Sequence, residues 1–118
     1  MVYLRDLETN DWKLYELTDK QALLNRKIHI NDNVYIGSYV YIDNGVIIKS
    51  NAHVGSKAKI GLNAYIGFNA YIGDMEVIAE NAYINNHERI GLWGEARNGE
   101  SRKVKSFYNR EKHLFGRG

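Results

Sequence analysis

Aliphatic residues recur every six positions through the middle of the chain: Ile30, Ile36, Ile42, Ile48, Val54, Ile60, Ile66, Ile72, Ile78, Ile84 and Ile90. Two positions before each stands a second, mostly small column: Ile28, Val34, Val40, Val46, Ala52, Ala58, Ala64, Ala70, Glu76, Ala82 and Glu88. A period of six fits neither the alternation of an ordinary sheet strand nor the turn of a helix. Short fixed repeats signal solenoids, and six-residue ones a β-helix whose strands each send one large and one small side chain into a narrow prism. Three hexads make one coil, so outward residues eighteen apart share a face. A first face then carries Tyr35, His53, Tyr71 and Arg89, beside Gly37, Gly55, Gly73 and Gly91, an apparent floor without side chains. A second carries Tyr41, Lys59 and Val77; a third carries His29, Ile47, Tyr65 and Tyr83, with Lys49 and Phe68 nearby.

The flanks obey other patterns. Residues 2–7 and 12–17 predict two strands of a hairpin around Glu8-Thr9-Asn10-Asp11. Thr18-Asp19-Lys20-Gln21 fits a capping box with Thr18 as N-cap and Gln21 at N3, opening a short helix through Ala22, Leu23 and Leu24 that covers the first open rung. Within the repeat, Asn33, Gly45, Asn51, Asn63, Asn69 and Asn81 occupy one hexad position, and Asn and Gly most readily enter the left-handed conformation of a sharp corner. After Leu92 the period ends, and Asn98-Gly99 predicts a second hairpin between Trp93–Arg97 and Glu100–Phe107, followed by a basic, aromatic tail. The expected organisation is an N-terminal cap over 1–27, a β-helix over 28–92, and a basic C-terminal hairpin and tail over 93–118.

Composition narrows the chemistry. The 118 residues include no Cys and no Pro, which excludes disulfides, thiol nucleophiles and thiolate metal sites. No apolar run is long enough to span a membrane, and no signal-peptide pattern opens the chain, so a cytoplasmic location is expected. Net charge is +2, but residues 1–94 hold 9 basic and 11 acidic groups, whereas 95–118 hold 7 and 3. A basic end on a near-neutral body suits an anionic partner. No nucleic-acid-binding motif accompanies it, and nucleic acid is not an expected partner.

Ile60-Gly61-Leu62-Asn63-Ala64-Tyr65 and Ile66-Gly67-Phe68-Asn69-Ala70-Tyr71 match the unit aliphatic, Gly, two variable residues, small, variable. In this the chain resembles the hexapeptide-repeat family of left-handed parallel β-helix proteins. The resemblance implies an all-β fold and a homotrimer. Many relatives are acyltransferases that use acetyl-CoA or acyl-carrier protein, with a histidine base between subunits. Asn51-Ala52-His53-Val54-Gly55-Ser56 is similar to a stretch of the sugar-nucleotide acyltransferases of lipid A synthesis, in which a second histidine, here replaced by Ser56, is the base. Many relatives also extrude a loop that completes the acyl-donor site, and no hexad between 30 and 90 is interrupted here. The zinc carbonic anhydrases of the family pair two histidines on one strand; His29, His53, His87 and His113 contain no such pair, so no metal site is expected.

Two functions follow as expectations. The first is a non-catalytic homotrimeric binding protein, without cofactor, that holds an anionic small molecule such as a nucleotide or cyclic nucleotide between subunits. A virus-encoded sponge for immune signalling nucleotides is one setting for it. Its binding residues would be Tyr35, His53, Ser56, Tyr71 and Arg89 on the first face with Trp93, Arg97, Arg102, Lys103 and Lys105 beyond it, aromatic groups for stacking and cations for phosphate. The alternative is a minimal acetyl- or acyltransferase with acetyl-CoA as cosubstrate and His53 or His87 as base. The more apolar third face is the expected trimer contact.

Overall fold

The two columns of the repeat become the core of a parallel β-solenoid. The structure, a computed structural model, describes residues 1–91. It opens with β1 (Val2–Arg5), β2 (Trp12–Tyr15) and α1 (Lys20–Asn25). Short strands follow at every hexad: β3 (His29–Ile30), β4 (Tyr35–Ile36), β5 (Val40–Ile42), β6 (Ile47–Ile48), β7 (His53–Val54), β8 (Lys59–Ile60), β9 (Tyr65–Ile66), β10 (Tyr71–Ile72), β11 (Val77–Ile78), β12 (Tyr83–Ile84) and β13 (Arg89–Ile90). They stack into three sheets, ordered β13-β10-β7-β4, β12-β9-β6-β3 and β11-β8-β5-β1-β2, parallel throughout except for the outermost β2. These are the three faces read from the spacing of eighteen, in the same register.

From Ile42 to Ile90 the large column is 0–1 % exposed. Burying each such side chain contributes roughly 1.5–3 kcal/mol, and the repetition makes the core continuous along the axis. The first coil is looser: Ile30, Val34 and Ile36, at the end of the stack, are half-buried. The two acidic members of the small column part ways. Glu76 is buried at 3 %, and a Cβ at Gly91 would lie 2.6 Å from its Cγ, so the glycine makes room for its stem. Glu88 is half-buried, and its carboxylate accepts the Asn85 N–H at 2.9 Å.

Every corner uses the left-handed region, with positive φ at Lys27, Asn33, Tyr39, Gly45, Asn51, Lys57, Asn63, Asn69, Met75, Asn81 and His87. The six Asn and Gly corners were legible from composition. The Lys, Tyr, Met and His corners were not, since hexad position overrides local preference there.

The hairpin forms as expected, though with shorter strands, and its role differs from that of a separate cap. β1 pairs in parallel with β5, Val2 opposite Val40 and Tyr3 opposite Tyr41, so it supplies the first rung of the second face. β2 lies outside it, antiparallel. Asp6 shapes the turn: its Oδ1 accepts the N–H groups of Glu8 and Thr9 at 2.8 and 2.9 Å, and Lys13 Nζ lies 2.7 Å from its Oδ2. The lysine and the two amides hold the Asp6 carboxyl far below the usual carboxylate range. Helix α1 begins one residue later than the capping box predicts. Asp19, not Thr18, is the N-cap and accepts the Ala22 N–H at 3.1 Å, while Gln21 bonds Asn25. The Asp19 carboxylate, a charged acceptor at the positive end of the helix, is the stronger cap.

A second join passes unseen in the sequence. Arg26, 6 % exposed, donates from Nε to the Arg5 carbonyl at 2.7 Å, from Nη1 to the Ala22 carbonyl at 2.7 Å and from Nη2 to the Tyr15 hydroxyl at 2.9 Å. One guanidinium therefore ties hairpin to helix. The expected C-terminal hairpin, from Trp93 onward, lies outside the described residues.

Candidate ligand-binding site

The first face is a ladder set by the sheet itself. Tyr35, His53, Tyr71 and Arg89 stand directly opposite one another on β4, β7, β10 and β13. Strands about 4.8 Å apart bring flat side chains to stacking distance. The Tyr35 and His53 rings lie 4.5 Å apart at 18°, His53 and Tyr71 4.5 Å apart at 7°, and the Arg89 guanidinium 5.8 Å from the Tyr71 ring. The rings thus stack on each other, with His53 between two tyrosines and Tyr35, 54 % exposed, at the end of the row. Side chains on strands stand away from the sheet, so what points outward is a row of tips: phenol hydroxyls, imidazole Nε2 and guanidinium.

His53 has a further peculiarity. Its Nδ1 is buried and has no hydrogen-bond partner among the described residues.

The remaining first-face residues are framework. Ser56 Oγ accepts the Ser38 N–H at 3.1 Å, and the Ser56 N–H donates to Asp74 Oδ1 at 2.9 Å, linking three successive coils. Phe68 N–H to Asn86 Oδ1, 2.9 Å, repeats the motif at another corner. Nor are the glycines an open floor. A Cβ at Gly37 would lie 2.6 Å from the Ser56 nitrogen, and one at Gly55 2.5 Å from the Asp74 nitrogen. The next coil already fills that space, so glycine is required by stacking. His87 occupies an exposed left-handed corner, its N–H bonded to the Phe68 carbonyl at 2.8 Å. Trp93, Arg97, Arg102, Lys103 and Lys105 lie outside the described residues.

The other faces are aromatic too. On the third, the Tyr65 and Tyr83 rings stack at 4.7 Å and Lys49 Nζ lies 5.2 Å over Phe68; burial, then the neighbouring Tyr83, raises the Tyr65 hydroxyl above its usual value. On the second, the hairpin brings Arg5 to Asp43 at 3.3 Å and over the Trp12 ring at 4.4 Å, with Trp12 edge-on to Tyr41 at 5.1 Å. Arg5 and Trp12 were not legible as site residues, because nothing in the sequence assigns the hairpin to this face. Among the described residues no three His, Asp or Glu side chains are grouped to hold a metal. No helix among them is long and apolar enough to cross a membrane.

Residues 27–62 match the family model described as bacterial transferase hexapeptide (six repeats). That match and the β-solenoid together support a hexapeptide-repeat, left-handed β-helix assignment for the repeat region. No curated protein and no solved structure matches it significantly. Within this hexapeptide-repeat protein the unbroken coils and the ring ladder are the features that bear on function.

Proposed function

We propose that this hexapeptide-repeat protein is a small homotrimeric binding protein that holds an anionic ligand, a nucleotide or cyclic nucleotide, between subunits without turning it over. The column of Tyr35, His53, Tyr71 and Arg89 carries the reading: phenol hydroxyls, an imidazole and a guanidinium stand in a row at strand spacing, suited to phosphate oxygens. Ser56, at the position where acyltransferase relatives carry their base, has its hydroxyl engaged between coils.

A trimer suits the same reading. A prism this small gains little from its own core, and closed cyclic symmetry is the usual way to bury more. The Tyr65–Tyr83 stack and Phe68, 39 % exposed, make the third face the contact we favour. Sequestration of a signalling nucleotide is a role such a trimer would fill.

The test combines calorimetry with a panel of nucleotides and cyclic dinucleotides and a thiol-release assay with acetyl-CoA. We expect saturable heat with at least one nucleotide, weakened in Arg89→Gln, and thiol release at background in both wild type and His53→Gln. No heat with any nucleotide would overturn the proposal. Thiol release that depends on His53 would establish the acyltransferase alternative in its place.

A further inference from the structure

The second face carries a motif that neither function uses. Strand residues Tyr41, Lys59 and Val77 stack in one column. Two positions earlier, corner residues Tyr39, Lys57 and Met75 form a parallel one. The chain spells this as Tyr39-Val40-Tyr41, Lys57-Ala58-Lys59 and Met75-Glu76-Val77, each middle residue turned into the core. Between the columns runs an open groove of about 570 Å³ with an aromatic layer, a cationic layer and an apolar layer in succession.

Four observations point to a ligand. No carboxylate lines the groove, and among the described residues neither Lys57 nor Lys59 has an ion-pair partner. Lys59 Nζ lies 5.2 Å from the centroid of the Tyr41 ring, whose stacking on Tyr3 at 4.4 Å holds it in place. Met75 and Val77 are 65 % and 39 % exposed, an apolar floor left open. Backbone strain supplies the fourth. The corner column Tyr39, Lys57, Met75 holds no Asn or Gly, whereas its two counterparts run Asn33, Asn51, Asn69, His87 and Lys27, Gly45, Asn63, Asn81. All three members adopt positive φ. Bulky side chains are costly in that conformation, and strain of this kind collects where a site requires particular side chains.

We propose that this groove binds a small anion bearing a flat, apolar body, its charge held between Lys57 and Lys59 and its body seated against the tyrosine or the Met75–Val77 layer. Two ammonium groups lining one groove supply charge-assisted hydrogen bonds to a phosphate or carboxylate, and tyrosine and methionine offer flat and adaptable apolar contact. The site is separate from the first-face ladder and does not depend on it.

The experiment titrates the isotope-labelled full chain with 1-naphthyl phosphate and follows backbone and side-chain resonances, with 1-naphthol and inorganic phosphate as parallel arms. The expected result is saturable shifts at residues 39–41, 57–59 and 75–77, with both parallel compounds binding more weakly. The double variant Lys57→Asn, Lys59→Gln should weaken binding by about tenfold or more, the loss of at least one charge-assisted hydrogen bond. Asn suits the corner it enters, and an otherwise unchanged spectrum confirms that the variant folds. Shifts confined to Tyr35, His53, Tyr71 and Arg89 would overturn this inference while supporting the first-face proposal. Absence of saturation, equal affinity for 1-naphthol, or unchanged affinity in the double variant would each overturn it as well.

Discussion

At the scale of single residues, position in the hexad outweighs preference. Met75 sits at φ 60° with its side chain 65 % exposed, so the fold gains little from it to offset the conformation. Met75→Asn should raise stability by about 1 kcal/mol, read as a higher midpoint in thermal unfolding, since Asn visits that region readily. Arg26 runs the other way. Removing it strands the Arg5 and Ala22 carbonyls and the Tyr15 hydroxyl, so Arg26→Met should cost about 2–4 kcal/mol in a denaturant titration. Both residues mark where the sequence stops being legible. An Asn corner announces itself, but a Met corner can be placed only by counting, and a buried arginine looks like any solvated one until its partners, up to twenty-one residues away, are known.

Among elements, the strands of the repeat were legible and their neighbours were not. The spacing of Ile42, Ile60 and Ile78 places three strands on one face without further information. That Val2 would pair with Val40 leaves no trace, because a hairpin's periodicity says nothing about which edge it joins. The same limit hid Arg5 and Trp12 from the second face, and local capping chemistry settled Asp19 over Thr18 on grounds the spacing alone does not weigh. The first face was half legible: the column Tyr35, His53, Tyr71, Arg89 was placed correctly, but that the rings would stack on one another depends on strand spacing and side-chain angle. The hairpin also carries a pH dependence. Because the folded state holds the Asp6 carboxyl well below its ordinary 3.8, its contribution is present above that value and is lost as pH falls below it. Amide exchange at Glu8 and Thr9, corrected for intrinsic rate, should accelerate between pH 6 and pH 3, approximate bounds on either side of the carboxylate range, while amides of β9 keep their protection.

For the whole molecule, the regularity that defines the fold also constrains its function. Among the described residues the coils run without an inserted loop, His53 is held in the ring stack and Ser56 between Ser38 and Asp74. The first face presents rings and donors in one column, Tyr35, His53, Tyr71 and Arg89. The proposal is that a trimer uses it to hold a nucleotide without chemistry. Native mass spectrometry of the purified chain, incubated with the nucleotide panel, tests this most directly. The account predicts a species of three 13.6 kDa chains that carries a nucleotide and releases it unchanged on activation. A spectrum of single chains with no nucleotide adduct would contradict it.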